Sequence, residues 1–488
     1  MQRVRTDARV VLPLLVCGVV TSLVLSASPG TATAATDPST PCDYFASPNG
    51  RGHGRMTSSP FRIEDFWAVA RPGTTLCLLD GVYRGSASMI VPPSGLSGTA
   101  RDPITIRALN DGKVLLDGQF TRYPVRLNSN NHWIIEGLNA KNSSCDVVRI
   151  ENGSRDNVVR RVVGWDTPIG NTCAIFRALY TSGPNLFEDV AGFGAASRIF
   201  GCNQQGNGTT FRRVWGRFEG SLNGNNVNGA VSTHYTCRNV TWENVLATVD
   251  TITQPTSATV HNRNEPDRSL GRVRDGETVN PAGVFFTNKN HKTSNRCVNV
   301  EALGSLAYIT STAKLGGLTT GYHNTNRDPS APEAIECYRG QHVAVIVDPD
   351  HPEFRSFRAF GLGKATSVAT TFRHITSVSG NGNSFTNWTV QQQSHGTTVG
   401  AVPNLWTNRL DHAGANLCHR YVNRVRTTTP LWPWPMNERI RAATAMAGNY
   451  SGPCETCVGE HEVRTATDVT AEIEALLGPI PAQCRVGA

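Results

Sequence analysis

The 488-residue chain predicts an all-β fold, a parallel β-solenoid. Three observations carry that reading. First, one short motif recurs: HWIIEGLNA (132–140), NVVRRVVGW (157–165), NLFEDVAGF (185–193), TTFRRVWGR (209–217) and NVTWENVLA (239–247). Its anchoring apolar residues Leu138, Val162, Val190, Val214 and Val245 are spaced 24, 28, 24 and 31 residues apart, the irregular period of a solenoid with loops of varying length. Second, the apolar runs are short, β-branched or aromatic, and broken by Asn and Gly. A helical repeat would need amphipathic runs of about ten or more residues at a period of 3.6. Third, a polar pair interrupts each motif, and its first member alternates in charge: Glu136, Arg160, Glu188, Arg212, Glu243. In a parallel solenoid such residues stack about 4.8 Å apart, where like charges repel and alternating charges attract.

Residues 1–35 read as a signal peptide. Arg3, Arg5 and Arg9 precede an apolar run from Val10 to Leu25, and an Ala-x-Ala site follows at Ala32–Ala34. Pro13 breaks the run, which is too short to span a bilayer. The expected product is secreted, with no membrane span after cleavage. Cys17 lies in this segment, so 12 of the 13 cysteines remain, an even count that favours disulfides in an exported protein. Cys454 and Cys457 form a C-x-x-C that reads as bridged rather than metal-bound. The segment carries three Arg and one Asp, so its removal lowers the formal charge from +8 to +6. Only six of the 46 basic residues are Lys, at 113, 141, 289, 292, 314 and 364. A mild positive charge suits an acidic partner. There is no charge run, arginine-rich tail or nucleic-acid motif, so no nucleic-acid partner is expected.

The next segments are YFASPNGRG (44–52), SPFRIEDFWAVARPGTTLCLLDGVYRG (59–85) and DPITIRALNDGKVLLDG (102–118). They are similar to the opening segment of exported polysaccharide lyases. Over about residues 42–430 the chain resembles the pectate-lyase-like right-handed parallel β-helix proteins. The resemblance implies an N-terminal cap and opening hairpin over 36–100, a right-handed parallel β-helix over 101–430 and a C-terminal cap over 431–488. The helical caps at both ends would cover the open core.

Within the repeats the polar pair reads as a corner between two strands. Its second member is Gly137, Arg161, Asp189, Arg213 or Asn244; Gly, Asp and Asn accept a left-handed backbone readily, and Arg does not. Trp242 and Val245 then point inward from the strands that meet at Glu243 and Asn244. TTFRHITSV (370–378) and RYVNRVRTT (420–428) look like further copies. An earlier strand precedes each motif: VVRIE (147–151), AIFRA (174–178), SRIFG (197–201), VSTHY (231–235) and GVFFTNKN (283–290). The stretches 251–283 and 314–334 read as long loops that could wall a groove. At the C-terminus, Trp432 and Trp434 offer apolar cover. A helix in DVTAEIEALLGPIP has Asp468 as its N-cap and Val469, Ile473, Leu476 and Leu477 as its apolar face.

Strand alternation places one residue of each early strand on a shared outward face: Arg149, Arg177, Arg198, His234 and Lys289. A one-residue slip would bury them. Such a face suits carboxylate-bearing sugars, since a guanidinium can hold a carboxylate bidentately. Uronate β-elimination is common in the enzymes the chain resembles. It needs the carboxylate neutralised, by Arg or calcium, and a base for the adjacent proton. Lys289 is the first candidate base and His234 the second; Arg149, Arg177 and Arg198 are candidate substrate ligands. Calcium is the only cofactor carried, with Asp348, Asp350 and Glu353 in VDPDHPEF (347–354) as a candidate loop. The Asn-Thr-Asp, Asp-Asp and Arg-Ile-Lys blocks of pectin hydrolases are missing, as is the Trp-x-Asp-His of pectate lyases; GHG occurs only at 52–54. The expected function is cleavage of an acidic, uronate-containing polysaccharide by a monomeric lyase. The alternatives are a non-catalytic carbohydrate-binding or surface protein, and a glycoside hydrolase or uronate epimerase of the same fold.

Overall fold

The computed structural model describes residues 41–168, 171–220, 229–234, 237–249, 259–262, 265–272, 284–290, 300–311, 320–326, 338–352, 354–355, 360–361, 371–378, 385–386, 398–399, 405–407, 417, 419–448, 450 and 466–477. Residues 1–35, read above as a signal peptide, and Cys454, Cys457 and Glu353 lie outside these residues.

The chain winds as a parallel β-helix with three rows of strands. The first row runs through Tyr44–Ala46, Thr75–Leu78, Ile104–Ala108, Trp133–Glu136, Asn157–Arg160 and Asn185–Glu188 to 210–212, 240–243 and Val300–Leu303. The second row holds Gly81–Tyr83, Val114–Asp117, Asn139–Lys141, Val163–Trp165, Ala191–Gly194, 214–218, 245–249 and Leu306–Ile309. The third row holds Val125–Asn128, Val148–Glu151, Ala174–Ala178, Arg198–Cys202, Gly229–His234, Val284–Asn290 and Thr320–Asn326.

Stacking of equivalent residues explains the motif. Ile106, Ile135, Val159, Phe187, Phe211, Trp242 and Ala302 form one inward column and are all buried. Its rings lie face to face: Phe187 and Phe211 are 4.9 Å apart, and Phe211 and Trp242 are 4.1 Å apart. Burying such rings contributes far more than any single rung hydrogen bond. The corner residues Gly137, Arg161, Asp189, Arg213, Asn244, Gly304 and His342 all have positive φ, between 50° and 76°. Both arginines therefore adopt the left-handed backbone they disfavour. Ion pairs to the acids stacked near them hold them: Arg213 grips Asp189 through Nε (2.7 Å) and Nη2 (2.9 Å), and Arg161 bonds Asp111.

The alternating ladder has the expected register and begins one coil earlier, at Arg107, followed by Glu136, Arg160, Glu188, Arg212 and Glu243. It is buried rather than solvated. Glu243 is 0% exposed, and Arg212 joins it through Nε at 2.6 Å and Glu188 through Nη1 at 3.2 Å.

The segment 420–428 is what covers it, and it is not a further coil. His419–Val422 and Val425–Pro430 form an antiparallel hairpin whose tip, Asn423 and Arg424, has positive φ. Asn423 Oδ1 accepts from Arg212 Nη2 at 2.6 Å, and the Arg424 backbone N–H donates to Glu243. Segment 371–378 is a true copy, paired in parallel with 339–346.

Three other sequence expectations resolve differently. Thr75–Leu78 and Gly81–Tyr83 pair with separate rows, so the opening segment is the first coil and not a hairpin. The stretch 314–334 contains the third-row strand Thr320–Asn326, whose polar sequence hides its pairing with Val284–Asn290. Between 251 and 283, Thr259–Asn262 and Glu265–Arg272 form an antiparallel pair.

At the N-terminus, Tyr44, Phe61, Ile63 and Phe66 of the short helix α1 (Ile63–Phe66) join the core, and Trp67 meets Trp133 edge to face at 6.1 Å. The C-terminal helices α2 (Asn437–Ala447) and α3 (Val469–Leu477) cover the flank of the solenoid. Trp432, Trp434, Ile440, Ala443, Val469 and Ile473 pack on the outward second-row residues Val163, Trp165, Phe193, Trp215 and Leu246. Asp468 caps α3, accepting from the Ala471 N–H at 2.9 Å.

Candidate functional site

The outward face of the third row is built from columns set by register. Inward positions such as Val125, Val148, Phe176, Phe200 and Val231 fill the core. The intervening outward column reads Arg126, Arg149, Arg177, Gly201 and Ser232. Two residues further along each strand, and so of the same parity, a second column holds Asn128 paired with Glu151, and later His234 paired with Lys289.

The five sequence-predicted residues therefore fall in three columns. Arg149 and Arg177 are direct partners, and His234 and Lys289 are direct partners. Arg198 pairs with Ala174, three positions before the Arg149–Arg177 column. It is buried, yet its Nη1 donates to the Thr172 carbonyl at 3.3 Å, the same oxygen that Arg177 Nη1 reaches at 3.4 Å. That shared acceptor brings the two guanidinium groups together.

Two carboxylates that sequence reasoning missed join the cations. Arg126 Nε donates to Glu151 Oε1 at 2.6 Å, and Arg149 Nη2 to Glu151 Oε2 at 2.5 Å. Asp146 accepts from Arg149 Nη1 at 2.9 Å, from Arg177 Nη1 at 3.3 Å and from the Ala174 N–H at 2.8 Å. Burial disfavours the charge on Arg149, but Asp146 and Glu151 outweigh it and hold this guanidinium above its usual range. Among the described residues, the cluster gathers four guanidinium groups and two carboxylates.

Aromatic rings border it. Arg126 and Arg149 lie 5.1 and 5.5 Å from the ring centre of Tyr123, and Arg149 lies 5.7 Å from that of Tyr180. Tyr180 is 41% exposed and has φ of 49°, so a left-handed turn presents its ring beside the cations. The disulfide Cys145–Cys173, with Cα atoms 5.0 Å apart, ties the residue before Asp146 to the residue after Thr172. It thereby fixes both acceptors. Its sulfurs also lie near the Asp146 carboxylate, but they are bonded to each other and offer no thiolate to a metal.

Some of this was recoverable from sequence. VRLN (125–128) is an earlier copy of VRIE, and Asp146 and Glu151 flank Arg149 at −3 and +2. Tyr123 and Tyr180 sit outside the strands, where no periodicity marks them. The candidate calcium residue Asp348 is already engaged: it accepts from the Tyr308 hydroxyl (3.0 Å) and the Ser311 (3.2 Å) and Asp350 (2.9 Å) backbone N–H groups.

No family model and no curated protein matches the chain. Solved structures with similar folds include the pectate lyase Pel9A, at 14% identity and a TM-score of 0.46, with 74% of this chain and 78% of that chain covered. An alginate lyase from Paenibacillus sp. str. FPU-7 aligns at 12% identity and a TM-score of 0.42, covering 71% and 96%. A rhamnogalacturonan lyase aligns at 12% identity and a TM-score of 0.44, covering 89% and 98%.

Proposed function

We infer that the third-row face binds an acidic, uronate-containing polysaccharide and cleaves it by β-elimination. The observation that carries this reading is the stack Arg126–Arg149–Arg177, with Arg198 beside it and a bordering exposed tyrosine. Guanidinium groups are suited to carboxylates, and an exposed ring is suited to the apolar face of a sugar. Both carboxylates of the cluster are already bonded to guanidinium groups, so neither stands as the free acid of a hydrolase pair.

In the proposed step, arginine neutralises the uronate carboxylate, which acidifies the proton on the adjacent carbon. A base takes that proton. The electron pair left behind forms a carbon–carbon double bond, the glycosidic C–O bond breaks, and the departing oxygen collects a proton. Lys289 is the proposed base and His234 the second candidate. Ser232 lies two rungs beyond Arg177, roughly 10 Å along the axis, and His234 lies two residues further along its strand. That separation matches a substrate of two or three sugar units laid along the row.

The test is incubation with pectate, alginate and glycosaminoglycans while absorbance of the unsaturated product is read. Wild type is expected to turn over one of them, and Lys289→Ala to lose turnover while keeping binding. Binding without turnover in wild type would identify a carbohydrate-binding protein. That second reading rests on the same face, since Asp146 and Glu151 fix its arginines without any reacting group. No binding at low salt would refute both.

A further inference from the structure

We propose that Tyr450, in the chain that follows α2, is a positioning residue for the arginine face. It clamps the two braces of the turn that presents Asp146, and through Asp146 it sets the Arg149 and Arg177 guanidinium groups. The inference rests on the proposed function and adds to it a residue from outside the coils of the β-helix.

Tyr450 lies three residues after α2 and is 4% exposed. Its ring meets that of Phe120 edge to face at 5.7 Å, and its hydroxyl donates to the Thr167 carbonyl at 3.0 Å. Phe120 follows the second-row strand Val114–Asp117, and Thr167 follows Val163–Trp165. Between these two strands runs Asn139–Lys141, paired with both. Tyr450 therefore bridges the coils on either side of the one that leads to Asp146.

The middle coil is held by those two neighbours. The Ser144 N–H donates to the Arg122 carbonyl at 3.0 Å, and the Ser143 N–H to the Asp166 carbonyl at 3.2 Å. Within the turn, the Ser143 hydroxyl bonds the Asp146 carbonyl at 2.6 Å and accepts from the Cys145 N–H at 3.2 Å. Asp146 is fully buried, and its carboxylate holds Arg149 and Arg177. A shift of either brace moves this carboxylate. The guanidinium groups follow it, because parting from it would strand a buried charge.

The loop 118–124 needs such a clamp. Gln119 and Phe120 have φ of 55° and 56°, two consecutive left-handed residues whose side chains disfavour that backbone. Such a conformation persists where surrounding contacts over-determine it. Here Asp117 Oδ1 accepts from the Gln119 N–H at 3.1 Å, the Asn142 carbonyl accepts from the Phe120 N–H at 2.6 Å, and Tyr450 packs on the Phe120 ring. The same loop carries Tyr123, whose ring lies beside Arg126 and Arg149. One clamp therefore acts on the carboxylate, the cations and a bordering ring together.

The experiment compares wild type with Tyr450→Phe, Tyr450→Ala and Ile473→Ala. Ile473 is a buried residue of α3, so its truncation loosens the cap without touching either brace. The probe is a uronate oligosaccharide made from whichever of polygalacturonate, alginate or hyaluronan wild type binds. Affinity is read by calorimetry, and melting temperature is read without the probe. Tyr450→Phe loses one hydrogen bond and is expected to bind about fivefold more weakly. Tyr450→Ala also loses the ring contact and is expected to bind at least about tenfold more weakly. Ile473→Ala is expected to melt lower than wild type yet bind within about twofold of it, since distant sites act independently. If Tyr450→Ala fails to fold, Tyr450→Phe carries the test, because its ring stays packed. Two results overturn the inference alone: Tyr450 variants that bind as wild type does while Arg149→Ala loses binding, or Ile473→Ala weakening binding as much as the Tyr450 variants. If wild type binds no acidic glycan, the functional reading falls and the inference with it.

Discussion

Replacing Arg212 tests the buried charge ladder that sets the register of the solenoid. Arg212 is 7% exposed and serves three acceptors: Glu243 at 2.6 Å, Glu188 at 3.2 Å and Asn423 Oδ1 at 2.6 Å. Breaking a buried pair by removing one partner typically costs about 3–5 kcal/mol, because the remaining charge stays desolvated. Two contacts soften the loss here. Glu188 keeps Arg213 at 2.8 Å, and Glu243 keeps the Arg424 backbone N–H. Arg212→Ala is therefore expected to cost about 3 kcal/mol. Arg212→Glu stacks three carboxylates about 4.8 Å apart. At an effective dielectric of about 20, each like-charge neighbour adds roughly 3 kcal/mol before any protonation relieves it. The folded carboxylates of that variant would titrate above their unfolded value. Their penalty would be relieved as pH falls from 7 toward the ordinary carboxylate range of about 4.3. Urea denaturation at pH 7 and pH 5, at low and high salt, is the assay. The expected order is wild type, then Arg212→Ala, then Arg212→Glu, with the last gap narrowing at pH 5. Two results would refute the reasoning: an Arg212→Ala loss under about 1 kcal/mol, the value of an exposed pair, or identical midpoints for the two variants.

Burial raises the Glu136 carboxyl above its usual range despite Arg160, Arg107 and Arg161. Its contribution to stability is therefore present at low pH and lost as pH rises, and wild type should lose stability relative to Glu136→Gln between pH 4 and pH 7; the opposite slope in urea midpoints would contradict this. Cys145→Ser with Cys173→Ser opens a loop of 28 residues and should cost about 3–4 kcal/mol by chain entropy. The same double variant should also weaken glycan binding, because Asp146 and the Thr172 carbonyl lose their tether; binding as in wild type would show that the bridge does not position the cluster. Arg149→Ala should weaken polyuronate binding more at low salt than at high salt, whereas Tyr180→Ala should weaken it by about 1 kcal/mol at either. Isothermal titrations at two ionic strengths separate the two effects.

The sequence alone determined which residues share a column. Glu136, Arg160, Glu188, Arg212 and Glu243 stack as their alternating charges require, and Trp242 and Val245 face inward. Both follow from local rules: a strand alternates faces at period two, and identical coils repeat their corners. The same rules placed Arg149 and Arg177 in register, and His234 opposite Lys289. Only the tertiary structure decided what covers those columns. The ladder is buried because a hairpin more than 170 residues later lays Asn423 and Arg424 across it. The flank is dry because α2 and α3 return to it. A trace of this was present in VVGW and VAGFG, which are apolar on both faces. Arg198 lies outside the Arg149 column because its coil is offset by three residues, and pairing, not composition, sets that offset. Arg177 and Arg198 meet only because the Thr172 carbonyl accepts from both, and local sequence does not encode distances between coils.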